Sequence, residues 1–183
     1  MTNRSAFMEN YNVRIAESGE FEKIRAFYFE MIDKLETEKY GPGWKKDIYP
    51  APNELKDALR GRELYVLEIE KRLAAVMILN SSRGDGYERL EAESGIKGTD
   101  ALLIHALGVG FEFQRKGFAA AMVRHAISVA KEKGCLAVRL DGLSGNVPAE
   151  RLYPKLGFEY MYTVNMFYED TGFADYKIYQ LLL

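Results

Sequence analysis

Apolar and polar residues alternate along 12–16 (Asn-Val-Arg-Ile-Ala), as a strand with one buried face requires. The period then lengthens. Phe21, Ile24, Tyr28, Met31 and Leu35 recur at steps of three and four, which places them on one face of a helix. Ser18 is expected to cap that helix, with Glu20 and Glu22 in its first turn. Residues 37–51 carry Tyr40, Gly41, Gly43, Trp44, Tyr49 and Pro50 and read as a loop. Pro52 opens a short second helix through Leu55 and Leu59, which Gly61 closes.

Two strands follow over 63–70 and 72–80, with a hairpin turn at Glu70-Lys71. Residues 81–100 hold four glycines and no core pattern, and predict a surface loop. A strongly apolar strand spans 101–109, and a glycine-containing loop leads into a helix over about 117–133. Ala119, Val123, Ala126 and Ala130 form its apolar stripe, and Gly134 its stop. A strand over 135–141, a short helix over 147–155 and two aromatic-rich strands, about 158–168 and 174–182, complete the chain. The strand–helix–strand unit across 101–141 predicts a right-handed crossover between parallel strands. The expected fold class is α/β (α+β): one mixed, mostly antiparallel sheet of six to seven strands, with a central parallel pair and four flanking helices. Neither an internal repeat nor a linker divides the 183 residues, so a single domain over 1–183 is expected.

Composition narrows the function classes more than the fold. With 25 Lys and Arg against 27 Asp and Glu, the net charge is −2, and no basic footprint for nucleic acid or an anionic membrane exists. Cys135 is the only cysteine, which rules out an internal disulfide or a cysteine-rich zinc site, and no metal is expected. Residues 1–10 have no apolar run of the kind a secretory signal needs, and no stretch reaches the ~18–20 apolar residues of a membrane span. A cytoplasmic location is expected.

The most informative stretch is Gln114-Arg115-Lys116-Gly117-Phe118-Ala119, between the apolar strand and a helix. A helix start offers unpaired N–H groups and the positive end of the macrodipole, so an anion binds there. Gly117 admits the close approach of a phosphate, Ala119 is small, and Arg115 and Lys116 add charge. A routine helix start with two solvated cations would show the same residues. Neither G-x-x-x-x-G-K-[ST] nor G-x-G-x-x-G is present, which disfavours a nucleotide-binding protein of the doubly wound class.

A second motif follows the next strand: Asn146-Val-Pro-Ala149-Glu-Arg-Leu152-Tyr153-Pro-Lys-Leu-Gly157-Phe158. Together with the strand ending at Val109 and the Gln114-x-x-Gly117-x-Ala119 loop, this string resembles the GNAT superfamily of N-acetyltransferases. The resemblance covers 101–158, and the flanking element order fits it. It implies acetyl-CoA as co-substrate, an amine acceptor, and a homodimer. It also implies that strands 101–109 and 135–141 splay apart, that the amides from Gln114 to Ala119 hold the pyrophosphate, and that Leu107, Gly108 and Val109 border the pantetheine arm. Asn146 would lie near that arm and Tyr153 near its sulfur. Many members have proline two residues after the strand valine, where this chain has Phe111.

For chemistry, the resemblance points to direct attack of an amine on the thioester in a ternary complex. His105 is the candidate base, acting directly or through a water, on the strand expected to line the cleft; arylalkylamine acetyltransferases show a similar His-Ala-Leu-x-Val string. A histidine packed in the sheet and bonded to backbone is the plainer alternative. Tyr153 is the expected acid, although its hydroxyl (pKa ~10) is less acidic than a thiol (~8.5), which favours hydrogen bonding over full proton transfer. Tyr40, Trp44 and Tyr49 lie where this family shapes its acceptor site. His125 is expected on an exposed helix face and Cys135 as a buried opening residue of its strand; Glu169 and Asp170, in the last hairpin turn, could attract a cationic amine, although solvated turn residues are the plainer reading. A catalytically idle CoA-binding module, or transfer of another acyl group, stays open.

Overall fold

A computed structural model describes residues 11–183; the polar segment 1–10, read as lacking a signal, lies outside the described residues. Its elements run in the order β1 (Asn12–Ile15), α1 (Phe21–Leu35), α2 (Pro52–Arg60), β2 (Leu64–Ile69) and β3 (Arg72–Asn80). Then come α3 (Glu88–Ser94), β4 (Ala101–Val109), α4 (Phe118–Glu132), β5 (Ala137–Leu143), α5 (Val147–Lys155), β6 (Glu159–Tyr168) and β7 (Gly172–Leu182). The seven strands form one sheet in the order β1-β2-β3-β4-β5-β7-β6. Only β4 and β5 pair in parallel, joined by the α4 crossover, as the sequence predicts.

Each sheet face has its own cover. Leu67, Leu102, Ile104, Val138 and Leu140 pack with Met122, Val123 and Ala126 of α4 and with Tyr153 of α5. On the other face Ile24, Tyr28 and Met31 of α1 and Leu55 and Leu59 of α2 meet Leu64, Val66, Val76 and Ile78. The Glu70-Lys71 turn has φ of 49° and 64°, the left-handed conformation that a two-residue hairpin needs at both positions.

Four sequence expectations change. Residues 81–100 are not a surface loop: they contain α3, a fifth helix, and Tyr87 and Leu90 are fully buried against Leu103, Tyr162 and Ile178. Ser18 does not cap α1. It begins a single 3₁₀ turn in which the Glu20 carboxylate accepts the Glu17 N–H at 2.8 Å. Glu20 is further held by Arg14, whose guanidinium also reaches Glu68, so β1, β2 and the start of α1 share one ionic cluster. Cys135 precedes β5 rather than opening it and is half-buried, and His125 is half-buried too, its ring edge-on to Tyr65. Among the described residues no helix is long and apolar enough to cross a membrane.

Candidate active site

β4 and β5 pair only at Ala101–Ala137, Leu102–Val138 and Leu103–Arg139, and then part. Beyond that point β4 stays bonded to β3 and β5 to β7, so the gap opens inside the sheet. A bulge accompanies the parting. Val76 faces Gly108 but Ile78 faces His105, so β4 carries one extra residue, and Ala106 takes a φ of 49°. The buried Tyr28 hydroxyl donates to the Ala106 carbonyl at 2.6 Å and fixes the bulge from α1. The gap widens into a cleft of about 970 Å³.

One end of that cleft is the start of α4. Gly117 caps the helix at φ 92° with no side-chain cap, and the first return bond runs from Ala121 N to Gly117 O at 3.0 Å. The amides of Phe118, Ala119 and Ala120 therefore have no intrahelical acceptor. Gln114, Arg115, Gly117, Phe118 and Ala119 line the cleft, as do Leu107, Gly108 and Val109 along its wall and Asn146 opposite. An anion with several oxygens fits this open end, and the half-buried Leu107 and Val109 suit an extended aliphatic arm. Lys116 does not line the cleft; its ammonium sits 5.7 Å from the Phe113 ring centroid.

At the parting of the strands lie His105, Tyr153 and Asp141. The His105 Nε2 is 2.9 Å from the Ser82 carbonyl, which can only accept, so Nε2 carries the proton and Nδ1 keeps the lone pair. The plainer reading of His105 as bonded to backbone thus holds for one nitrogen and leaves the other available. Burial pushes its pKa below the ordinary histidine value of 6.5, against the opposing pull of Asp141, so it is neutral at pH 7. Tyr153 is 9% exposed and packs on Phe158 and Tyr179, and its hydroxyl has no protein hydrogen bond among the described residues. Burial raises its pKa, so it is a donor that keeps its proton.

The far end of the cleft is aromatic and acidic. Tyr28, Trp44, Tyr49 and Tyr168 form a run of ring contacts with centroids 5.5 to 6.5 Å apart, and Tyr176 continues it at 4.8 Å from Tyr168. Trp44 and Tyr49 are half-buried in this wall, whereas Tyr40 lines the cleft at an exposed edge. Asp170 sits in the β6–β7 turn but is 5% exposed and lines the cleft, so it is not a solvated turn residue. Asp141, Tyr168 and Tyr176 were not singled out in the sequence. The one signal for Asp141 is its place at the polar end of an apolar strand parallel to that of His105.

The sequence model of the acetyltransferase (GNAT) family matches residues 29–158, which hold the bulge, the α4 start, His105 and Tyr153. The chain belongs to the GNAT family. Solved GNAT structures share its fold at low identity. One is a GNAT-family acetyltransferase of Listeria monocytogenes 4b F2365, with TM-score 0.72 and 20% identity over 94% of this chain and 95% of that one. Another is yncA of Salmonella typhimurium, solved with its cofactor acetyl-CoA, at 0.70 and 18% over 96% and 95%. A polyamine N-acetyltransferase of Drosophila melanogaster gives 0.66 and 15% over 95% and 100%. No curated protein matches the chain in sequence.

Proposed function

We propose that this GNAT chain transfers an acetyl group from acetyl-CoA to a primary amine by direct attack in a ternary complex. The observation that carries the reading is the single cleft: it runs from the open α4 start, along β4, to a neutral histidine and a buried unbonded tyrosine, and ends among aromatic rings. The α4 amides and Arg115 hold the pyrophosphate, and Leu107, Gly108, Val109 and Asn146 border the arm. The acetyl thioester then lies between His105 and Tyr153, with Tyr40, Trp44 and Tyr49 shaping the acceptor end.

An alkyl ammonium with a pKa near ~10 must lose a proton before it can attack. His105 Nδ1 takes that proton, and the freed lone pair adds to the thioester carbonyl. A β4 amide near Leu107, displaced from the ladder by the bulge, donates to the oxyanion. As the C–S bond breaks, the departing coenzyme A sulfur takes the second proton from the nitrogen, which leaves the neutral amide, while Tyr153 donates a hydrogen bond to that sulfur. Because burial raises the Tyr153 pKa, the tyrosine proton is shared with the sulfur rather than surrendered.

The roles are separable in an amine-dependent thiol-release assay. His105 must be neutral to act, so activity is lost as pH falls through its pKa, and that limb lies below pH 6.5 because burial lowers it. In His105→Ala, kcat/KM at pH 7 is expected to fall on the order of a hundredfold, and this limb to vanish. An unchanged pH profile would remove His105 from the chemistry. Tyr153→Phe is expected to lower turnover about 10- to 100-fold while acetyl-CoA affinity is kept. Lost affinity with normal turnover would make Tyr153 a packing residue.

A further inference from the structure

The parallel register places a carboxylate opposite His105. Leu103 and Arg139 are the last paired residues of β4 and β5. His105 and Asp141 each lie two residues further along, so both point to the same face of the sheet, across the parting. Both line the cleft, with no strand hydrogen bonds between them. Asp141 is held in place: the fully buried Tyr87 donates its hydroxyl to Oδ2 at 2.9 Å, and β7 pairs with β5 at Ile178. Nothing in the fold requires a carboxylate at this position. A Tyr87 hydroxyl could donate to an amide or a carbonyl there, and a charge in so enclosed a place is costly unless something cationic meets it.

We propose that Asp141 determines specificity for cationic amines: its carboxylate receives the ammonium form of the acceptor beside His105 and stabilises the imidazolium formed when His105 takes the proton. The inference rests on the reading of this cleft as an amine-acceptor site. The step balances simply. One N–H bond of the ammonium breaks, one forms at His105 Nδ1, and the positive charge moves from substrate to imidazole while Asp141 stays anionic beside both.

The surroundings agree in sign. His105 faces Asp141 from β5, Glu54 from α2 and Glu63 at the entry to β2, and each of these carboxylates favours its protonated form against burial. Asp141 faces the hydroxyls of Tyr49, Tyr153, Tyr168 and Tyr176 besides that of Tyr87, and their pKa values are all raised, so none competes as an anion. Arg83, the cation lining this end, is engaged by Glu88 and Glu91. Burial raises the Asp141 pKa, while the Tyr87 hydrogen bond and a charged His105 oppose that rise. The Tyr49 and Tyr168 rings, which line the cleft, add a surface against which an aryl or alkyl group can pack.

The test needs no turnover, so it separates this inference from the acetyl-transfer reading. Calorimetry would compare phenethylamine with its neutral isostere 2-phenylethanol on the wild-type protein with coenzyme A bound. Proton NMR titration would follow His105 and His125 in wild type and in Asp141→Asn, which keeps the shape and an acceptor for Tyr87. Wild type is expected to prefer the amine by about tenfold or more. Asp141→Asn should lose that preference and lower the His105 pKa while leaving His125 unmoved, and Asp141→Glu should recover part of the preference. Equal binding of amine and alcohol by wild type would overturn the proposal, even if Asp141→Asn failed to fold. So would an Asp141→Asn protein that kept the preference, or whose His105 titrated as in wild type.

Discussion

Acetyl-CoA is expected to bind Gly117→Val protein at least about a hundredfold more weakly than wild type. Two effects combine. Gly117 sits at φ 92°, and a β-branched residue there costs about 1–3 kcal/mol, which pulls the loop from Gln114 onward out of its present path. The added methyls also bring bulk to the α4 start, which lines the cleft where a phosphate oxygen would otherwise accept from the first amides. Hydrogen bonds to a charged group contribute about 1.5–3 kcal/mol each, so losing one of them with the strain gives about 2.5–6 kcal/mol, or roughly two to four powers of ten in affinity. Gly117→Ala keeps the strain but little of the bulk and should lie between. Calorimetric titration checks the order, with melting temperatures to show that each variant is folded. Wild-type affinity in Gly117→Val would mean that the α4 start does not hold the pyrophosphate.

The second large effect is on stability. Arg139 is 1% exposed on β5 and donates to Gln180 Oε1 at 2.9 Å, Ser94 Oγ at 3.1 Å and the Ile96 carbonyl at 3.0 Å, with Glu91 3.8 Å away. It is the pin between the sheet and the end of α3. Arg139→Met fills a similar volume but strands the Gln180 and Ile96 acceptors and leaves Glu91 to Arg83 alone. Orphaned acceptors cost about 1–3 kcal/mol each, so a loss of about 3 kcal/mol or more is expected. Denaturant unfolding would show it as a lower midpoint at unchanged slope. A loss below about 1 kcal/mol would make the buried arginine dispensable, as an apolar replacement sometimes is.

Much of this architecture is legible in the sequence because single elements announce themselves. The 21–35 stripe gives α1, Pro52 and Gly61 bracket α2, and the apolar runs at 101–109 and 135–141 around an alanine stripe give the parallel pair. The α4 start and Tyr153 are legible as motifs. What escapes is what depends on a third element. α3 has seven residues, too few for a helical period, and only Tyr87 and Leu90 mark its buried side. Asp141 reads as the polar end of a strand until the β4–β5 register sets it against His105. Asp170 reads as a turn residue, and only the packing of the β6–β7 hairpin against Gly43 and Tyr49 brings it to the cleft. Tyr168 and Tyr176 sit in correctly expected strands, but Tyr168 meets Tyr49 from the loop after α1, and Tyr176 joins the wall through Tyr168.

The most direct measurement is release of free coenzyme A from acetyl-CoA by the purified protein across a panel of primary amines, with the acetylated product identified by mass. The account predicts thiol release that requires both the protein and an amine, with one acetyl group gained by that amine. Acetyl-CoA binding with no release for any amine, or release that is indifferent to the amine, would contradict it.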